Sequence, residues 1–122
     1  MEGHLIYTIN GIERKMFFGN YALEETLSHF DSSISDISVL LDKKLLPFMR
    51  VFIYHSAAYI MLKDGKEPDF NQFDVHEWID NTGGSGGDFI LKASKELFRC
   101  LGLNEVTDQS EKKKTNRKVK LA

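Results

Sequence analysis

Asn10-Gly11 sits between two β-prone runs, Leu5-Ile6-Tyr7-Thr8-Ile9 and Ile12-Glu13-Arg14-Lys15-Met16-Phe17-Phe18. Both residues of a two-residue hairpin turn need positive φ, and Asn-Gly accepts it readily. The pair therefore predicts a β-hairpin over residues 4–18 and fixes its register: Ile9 faces Ile12, Tyr7 faces Arg14, Leu5 faces Met16. One face carries Leu5, Tyr7, Ile9, Ile12, Met16 and Phe18; the other carries Ile6, Thr8, Glu13, Lys15 and Phe17. A lone hairpin is marginal in water, so its apolar face must rest on helices. At least one strand edge is left open to a further strand.

The rest of the body reads as helices. Asn20 can cap a helix over 20–31, with Glu24 and Glu25 in the first turn and Ala22, Leu23, Leu27 and Phe30 at helical spacing. Ser33 and Asp36 resemble a capping box for a helix over 34–46, with Ile34, Ile37, Leu40, Leu41 and Leu45 as its buried stripe. Leu46-Pro47 should end or kink that helix, and Pro47 suits the first turn of the next, over 47–63. Asp74 predicts a short helix over 74–81, with Phe73 stapled onto Trp78. Asn81 to Gly87 reads as a flexible connector, after which Asp88 caps a helix over 88–101 with Ile90, Ala93, Leu97, Phe98 and Leu101 inward. Gly102-Leu103 matches a glycine stop with its hydrophobic contact. The expected fold is mainly α (α+β): a two-stranded antiparallel hairpin on a bundle of about five helices. Residues 1–103 form one globular domain, and 104–122 a flexible, disordered basic tail.

Charge divides the same way. Residues 104–122 carry six basic and three acidic side chains, the remaining chain ten basic and fifteen acidic. An acidic body argues against nucleic acid as the main ligand, because phosphate neutralisation dominates that affinity. A single cysteine, Cys100, permits no intrachain disulfide and fits a reducing cytoplasm. The start Met1-Glu2-Gly3-His4 lacks the cationic segment of a secretory leader. The apolar stretch Val51–Leu62, read by itself, is too short for a bilayer, so no membrane is expected.

Candidate chemistry is sparse. His4, His29, His55 and His76 lie on separate elements without paired ligand spacing, and no metal or other cofactor is expected. His76-Glu77 begins like a zinc-protease helix, but Asp80 stands where the second histidine would be. Gly83–Gly87 precedes a helix as a phosphate loop would, yet Asp88 follows instead of Lys-Ser/Thr. Asp74, Glu77 and Asp80 are three spaced carboxylates, two of them already explained as helix-start residues. There is no nucleophile elbow, Cys-His pair or dinucleotide fingerprint. The reading is no enzyme and no catalytic residue.

The stretch with apolar surplus is Phe48 to Leu62. Phe48, Val51, Phe52, Tyr59 and Leu62 can line one face, and Met49, Ile53, Ala57, Ile60 and Met61 the next, leaving Arg50, Tyr54 and Ser56 for solvent. Two apolar faces mean two neighbours. Either both lie within the domain or one is a partner. The candidate contact residues are Phe48, Met49, Phe52, Ile53, Tyr59, Ile60 and Met61, with Phe17 from the hairpin.

The opening Tyr7-Thr8-Ile9-Asn10-Gly11 through Phe17-Phe18-Gly19-Asn20-Tyr21-Ala22-Leu23 resembles the small tail assembly chaperones of long-tailed bacteriophages. So do the middle segment Phe52-Ile53-Tyr54-His55-Ser56-Ala57-Ala58-Tyr59 and the segment Phe73-Asp74-Val75-His76-Glu77-Trp78-Ile79-Asp80. The Gly83–Gly87 loop departs from that pattern. The resemblance implies a non-catalytic protein of the bacterial host cytoplasm. It would self-associate as a homo-oligomer and bind the tape-measure protein during virion morphogenesis, with the tail tube protein as a further partner. The rival expectation is a small regulatory or nucleic-acid-binding module using the basic tail. A second rival is a small enzyme using His55 or the Asp74–Asp80 carboxylates.

Overall fold

A computed structural model of the chain describes residues 2–102. The order is β1 (His4–Ile9), β2 (Ile12–Phe17), α1 (Asn20–His29), a 3-10 turn (Ile34–Asp36), α2 (Ile37–Lys63), α3 (Gln72–Asp80), a second 3-10 turn (Gly84–Gly86) and α4 (Asp88–Cys100). The hairpin forms in the register fixed by Asn10-Gly11, whose φ angles are 54° and 79°. Ile9, Met16 and Phe18 enter the core, whereas Ile12 stays exposed at the turn. The hairpin lies on α2, and it is tied to α4 by three hydrogen bonds. Tyr7 Oη donates to Asp88 Oδ2 at 3.0 Å, with its ring 5.0 Å from that of Phe89. Arg99 donates to the Phe18 carbonyl, and so does the Cys100 thiol, at 3.2 Å.

The two helices expected over 34–46 and 47–63 join as one kinked helix, so the described residues hold four α-helices where about five were expected. Pro47 has no N–H for the Lys43 carbonyl and its ring crowds that carbonyl, which kinks a helix without ending it. The distortion falls on Lys44, at φ −137° and ψ 43°. Joined this way, Ile34–Lys63 is long and apolar enough to cross a membrane by length and composition alone, with a mean hydropathy of 1.4 in its most apolar window. The length argument made from Val51–Leu62 alone therefore lapses. In this fold Phe48, Met49, Val51, Phe52, Ile53, Ala57 and Ala58 of its later part are buried in the domain itself.

Several local expectations shift. Gly19, not Asn20, occupies the cap of α1, which ends at His29 with no acidic residue in its first turn. α3 begins two residues before Asp74. Asn71 Oδ1 accepts from Asp74 N at 2.9 Å and Asp74 Oδ2 accepts from Asn71 N at 2.8 Å, a reciprocal box that places Asp74 third instead of first. Phe73 is then turned outward, 69% exposed, and staples nothing. The Ser33–Asp36 pair does form, with Ser33 N donating to Asp36 Oδ2 at 3.4 Å, but it opens a 3-10 turn. Asp88 is the first residue of α4 behind a Gly87 cap. On α4, Phe89, Ile90, Ala93 and Leu97 are buried while Phe98 is exposed. The expected connector 81–87 is a folded turn: a side chain on Gly87 would run into the Thr82 carbonyl and Gly83. Gly102 takes the positive φ of a helix stop, 77°; Leu103 and the basic segment 104–122 lie outside the described residues.

Candidate partner-binding site

Of the eight side chains singled out for partner contact, four are interior. Phe48, Met49, Phe52 and Ile53 are at most 1% exposed, so the expectation that they form a contact surface is corrected. Both apolar faces of this part of α2 find neighbours inside the domain. Phe48 stacks on Phe30 at 6.1 Å, and Phe52 meets Phe18 at 5.2 Å. Ser56, expected in solvent, is buried and donates to the Phe52 carbonyl at 2.8 Å. Phe17, Tyr59, Ile60 and Met61 are half-buried. Phe17 and Tyr59 join a line of adjacent rings, His4–Phe17–Tyr59–Tyr21–His55–Tyr54–Phe70–Trp78, with centroids 4.8 to 6.3 Å apart. Ile60 and Met61 help line a groove of about 240 Å³ between β2 and α2. The Arg14 guanidinium lies over Phe70 (5.4 Å) and Trp78 (5.0 Å) and bonds Asp69 at 3.1 Å.

The free apolar surface lies elsewhere. Ile34, Val39, Leu45 and Leu46 are 48 to 58% exposed, although Ile34 and Leu45 were expected in a buried stripe. Leu46 and Pro47 lead into a groove of about 330 Å³ walled by Ile79 of α3 and Ile90 of α4, with Arg50, His76, Asp80 and Ser85 as its polar groups. Arg50 is held in place: its Nε donates to Gln72 Oε1 at 3.3 Å and its Nη1 lies 3.3 Å from His76 Nε2. The guanidinium can only donate, so in this contact Nε2 is the accepting atom. Phe73 stands edge-on to His76 at 6.1 Å, which extends the apolar rim. An apolar cleft with an anchored arginine and an exposed aromatic residue has the make-up of a protein interface. Sequence periodicity missed it because Leu45 looks like the end of a buried stripe, Leu46 like the residue before a proline break and Phe73 like a staple. The available signal was that Leu45-Leu46 exceeds what one helix stripe needs.

The residues weighed for chemistry are accounted for separately. Among the described residues no three His, Cys, Asp or Glu side chains come together as a metal site. His76 and Asp80 do meet in the larger groove, but His76 Nε2 is engaged by Arg50. Burial pulls the His55 pKa below the usual histidine value, the Glu25 carboxylate working against it and His29 with it. Burial likewise raises the Cys100 thiol, only partly offset by Arg99, so the thiolate is disfavoured. Burial and the Asp88 carboxylate raise Tyr7.

No family model, curated protein or solved structure matches this chain.

Proposed function

We propose that the chain is a non-catalytic phage tail assembly chaperone that self-associates and covers apolar stretches of the tape-measure protein in the host cytoplasm, before the tail tube polymerises. The observation that carries this reading is the exposed Leu45-Leu46 pair, which with half-buried Pro47 runs into the Arg50 groove. A tape-measure protein is a long helical chain whose apolar faces need temporary cover. A cleft between α2, α3 and α4 accepts a helix face, with Leu46 and Phe73 as anchors and Arg50 as the polar contact. Burying one such side chain fully contributes roughly 1.5–3 kcal/mol. The order of hairpin, helices and the α3 segment is the order on which the resemblance rests.

The test is co-expression with the tape-measure protein of the same phage and capture of the complex. The wild-type chain is expected to be retained. Leu46→Asp, at an exposed position, is expected to lose at least tenfold in affinity while melting like wild type. A chain that stays monomeric and leaves the tape-measure protein insoluble overturns the reading.

A further inference from the structure

The second concave surface has different chemistry. In a hairpin closed by a two-residue turn, Ile9 and Ile12 exchange backbone bonds, and the alternation of antiparallel pairing follows from them. Arg14 then bonds inward to Tyr7, while the N–H and C=O of Glu13 and Lys15 point away from β1. Neither Glu13 nor Lys15 makes a backbone bond outside the hairpin among the described residues. Four consecutive residues, Ile12 to Lys15, line the 240 Å³ groove, so β2 presents its edge to it. The opposite wall is Ala57, Ile60 and Met61, spaced as one helix face.

The side chains along that edge carry a code. Glu13 and Lys15 are exposed and form no ion pair among the described residues. Their cross-strand neighbours, Thr8 and Ile6, are uncharged. Arg14 points to the opposite face, over Phe70 and Trp78. A strand added antiparallel to β2 would place a residue opposite Lys15, a second opposite Arg14 on the groove side, and a third opposite Glu13. Charge pairing across strands favours acidic, then apolar, then basic.

We propose that the outer edge of β2 takes an extended segment of a partner polypeptide, antiparallel, reading acidic–apolar–basic from its N-terminal side. It is independent of what occupies the Leu46 groove, which shares α2 with this one but no lining residue. Strand addition completes the outward N–H and C=O groups of Glu13 and Lys15, and the central apolar side chain lies against Ala57, Ile60 and Met61. The alternative role of the two charges is to repel strands from an open edge.

The probe is the blocked peptide Thr-Val-Glu-Val-Lys-Val-Thr, added to the full chain and followed by amide hydrogen exchange. Glu13 and Lys15 amides are expected to slow at least tenfold, with Arg14, already bonded, unchanged. N-methylation of the peptide's Glu or Lys is expected to abolish binding, and of its central Val to spare it. The double variant E13K/K15E should prefer the peptide with Glu and Lys exchanged, by about threefold per charge pair. Three results overturn the proposal: no slowing at millimolar peptide, equal binding of both peptides by wild type, or slow exchange in the free chain that vanishes when residues 103–122 are removed. The last would make the chain's own terminal segment the occupant.

Discussion

The two parts of α2 are similarly rich in apolar residues and meet opposite fates. From 47 to 63, Phe48, Met49, Val51, Phe52, Ile53, Ala57 and Ala58 are all buried. From 37 to 46, Ile37, Val39, Leu40, Leu41, Leu45 and Leu46 are as greasy, yet only Leu40 is. The difference lies in their neighbours. The later part has the hairpin, α1, α3 and α4 around it; the earlier part reaches the core through Leu40 alone, with Ile37 and Leu41 packed against it. Apolar content alone therefore says little about where a partner binds. The apolar side chains left uncovered by the domain's own elements do.

The sharpest way to break this contrast is to cut a side chain from the sheltered part. Phe52→Ala removes a ring packed against Phe18 and Phe48 with no exposure at all. It is expected to cost about 3–5 kcal/mol of folding stability, read from urea unfolding midpoints. A loss under about 1 kcal/mol would mean that this part of α2 is not the core.

Much of the architecture was legible because its signals are local. Asn10-Gly11 dictates φ at two positions and thereby every pairing of the hairpin, and the pairings form as expected. Leu46-Pro47 pointed to an end or a kink, and the structure shows a kink, with the non-helical residue at Lys44. The α3 start was misplaced because Asn71-Asp74 and Asp74-Glu77 are both plausible capping pairs. Which one forms depends on where Phe70 enters the core, a tertiary fact. The site was less legible for the same reason. Periodicity shows that a face is apolar, but not whether the hairpin lies on it, so Phe48, Met49, Phe52 and Ile53 were read as contact residues. The Arg50 groove joins residues from 46 to 90, and no local pattern spans that distance.

A second prediction probes the sheltered part through pH. His55 packs against Tyr54 and Tyr21, with Glu25 and His29 acting on its charge. Burial lowers its folded pKa, so over part of the acid range the unfolded chain binds the proton more readily than the folded one. The stabilisation is fully present above the unfolded histidine value, about 6.5. It is lost progressively as pH falls from there through the lowered folded value. His55→Gln should flatten this slope in thermal melts between pH 7 and 5. Equal slopes in wild type and His55→Gln would show that the ring is as well solvated folded as unfolded.

The smallest effect on stability is the most telling for function. Val39→Ser and Leu46→Ser replace side chains 57% and 58% exposed, so each is expected to change folding stability by no more than about 0.5 kcal/mol. Self-association and partner capture should separate the two positions. Leu46 lines the groove beside Arg50, and its replacement should weaken capture of an apolar partner helix; Val39 does not line it, and its replacement should weaken capture less. Analytical ultracentrifugation alongside the capture assay reads both properties on one preparation. If Leu46→Ser instead destabilises the isolated chain by several kcal/mol, the earlier part of α2 is sheltered after all. The contrast between the two parts would then fall, and with it the assignment of the groove as the partner's seat.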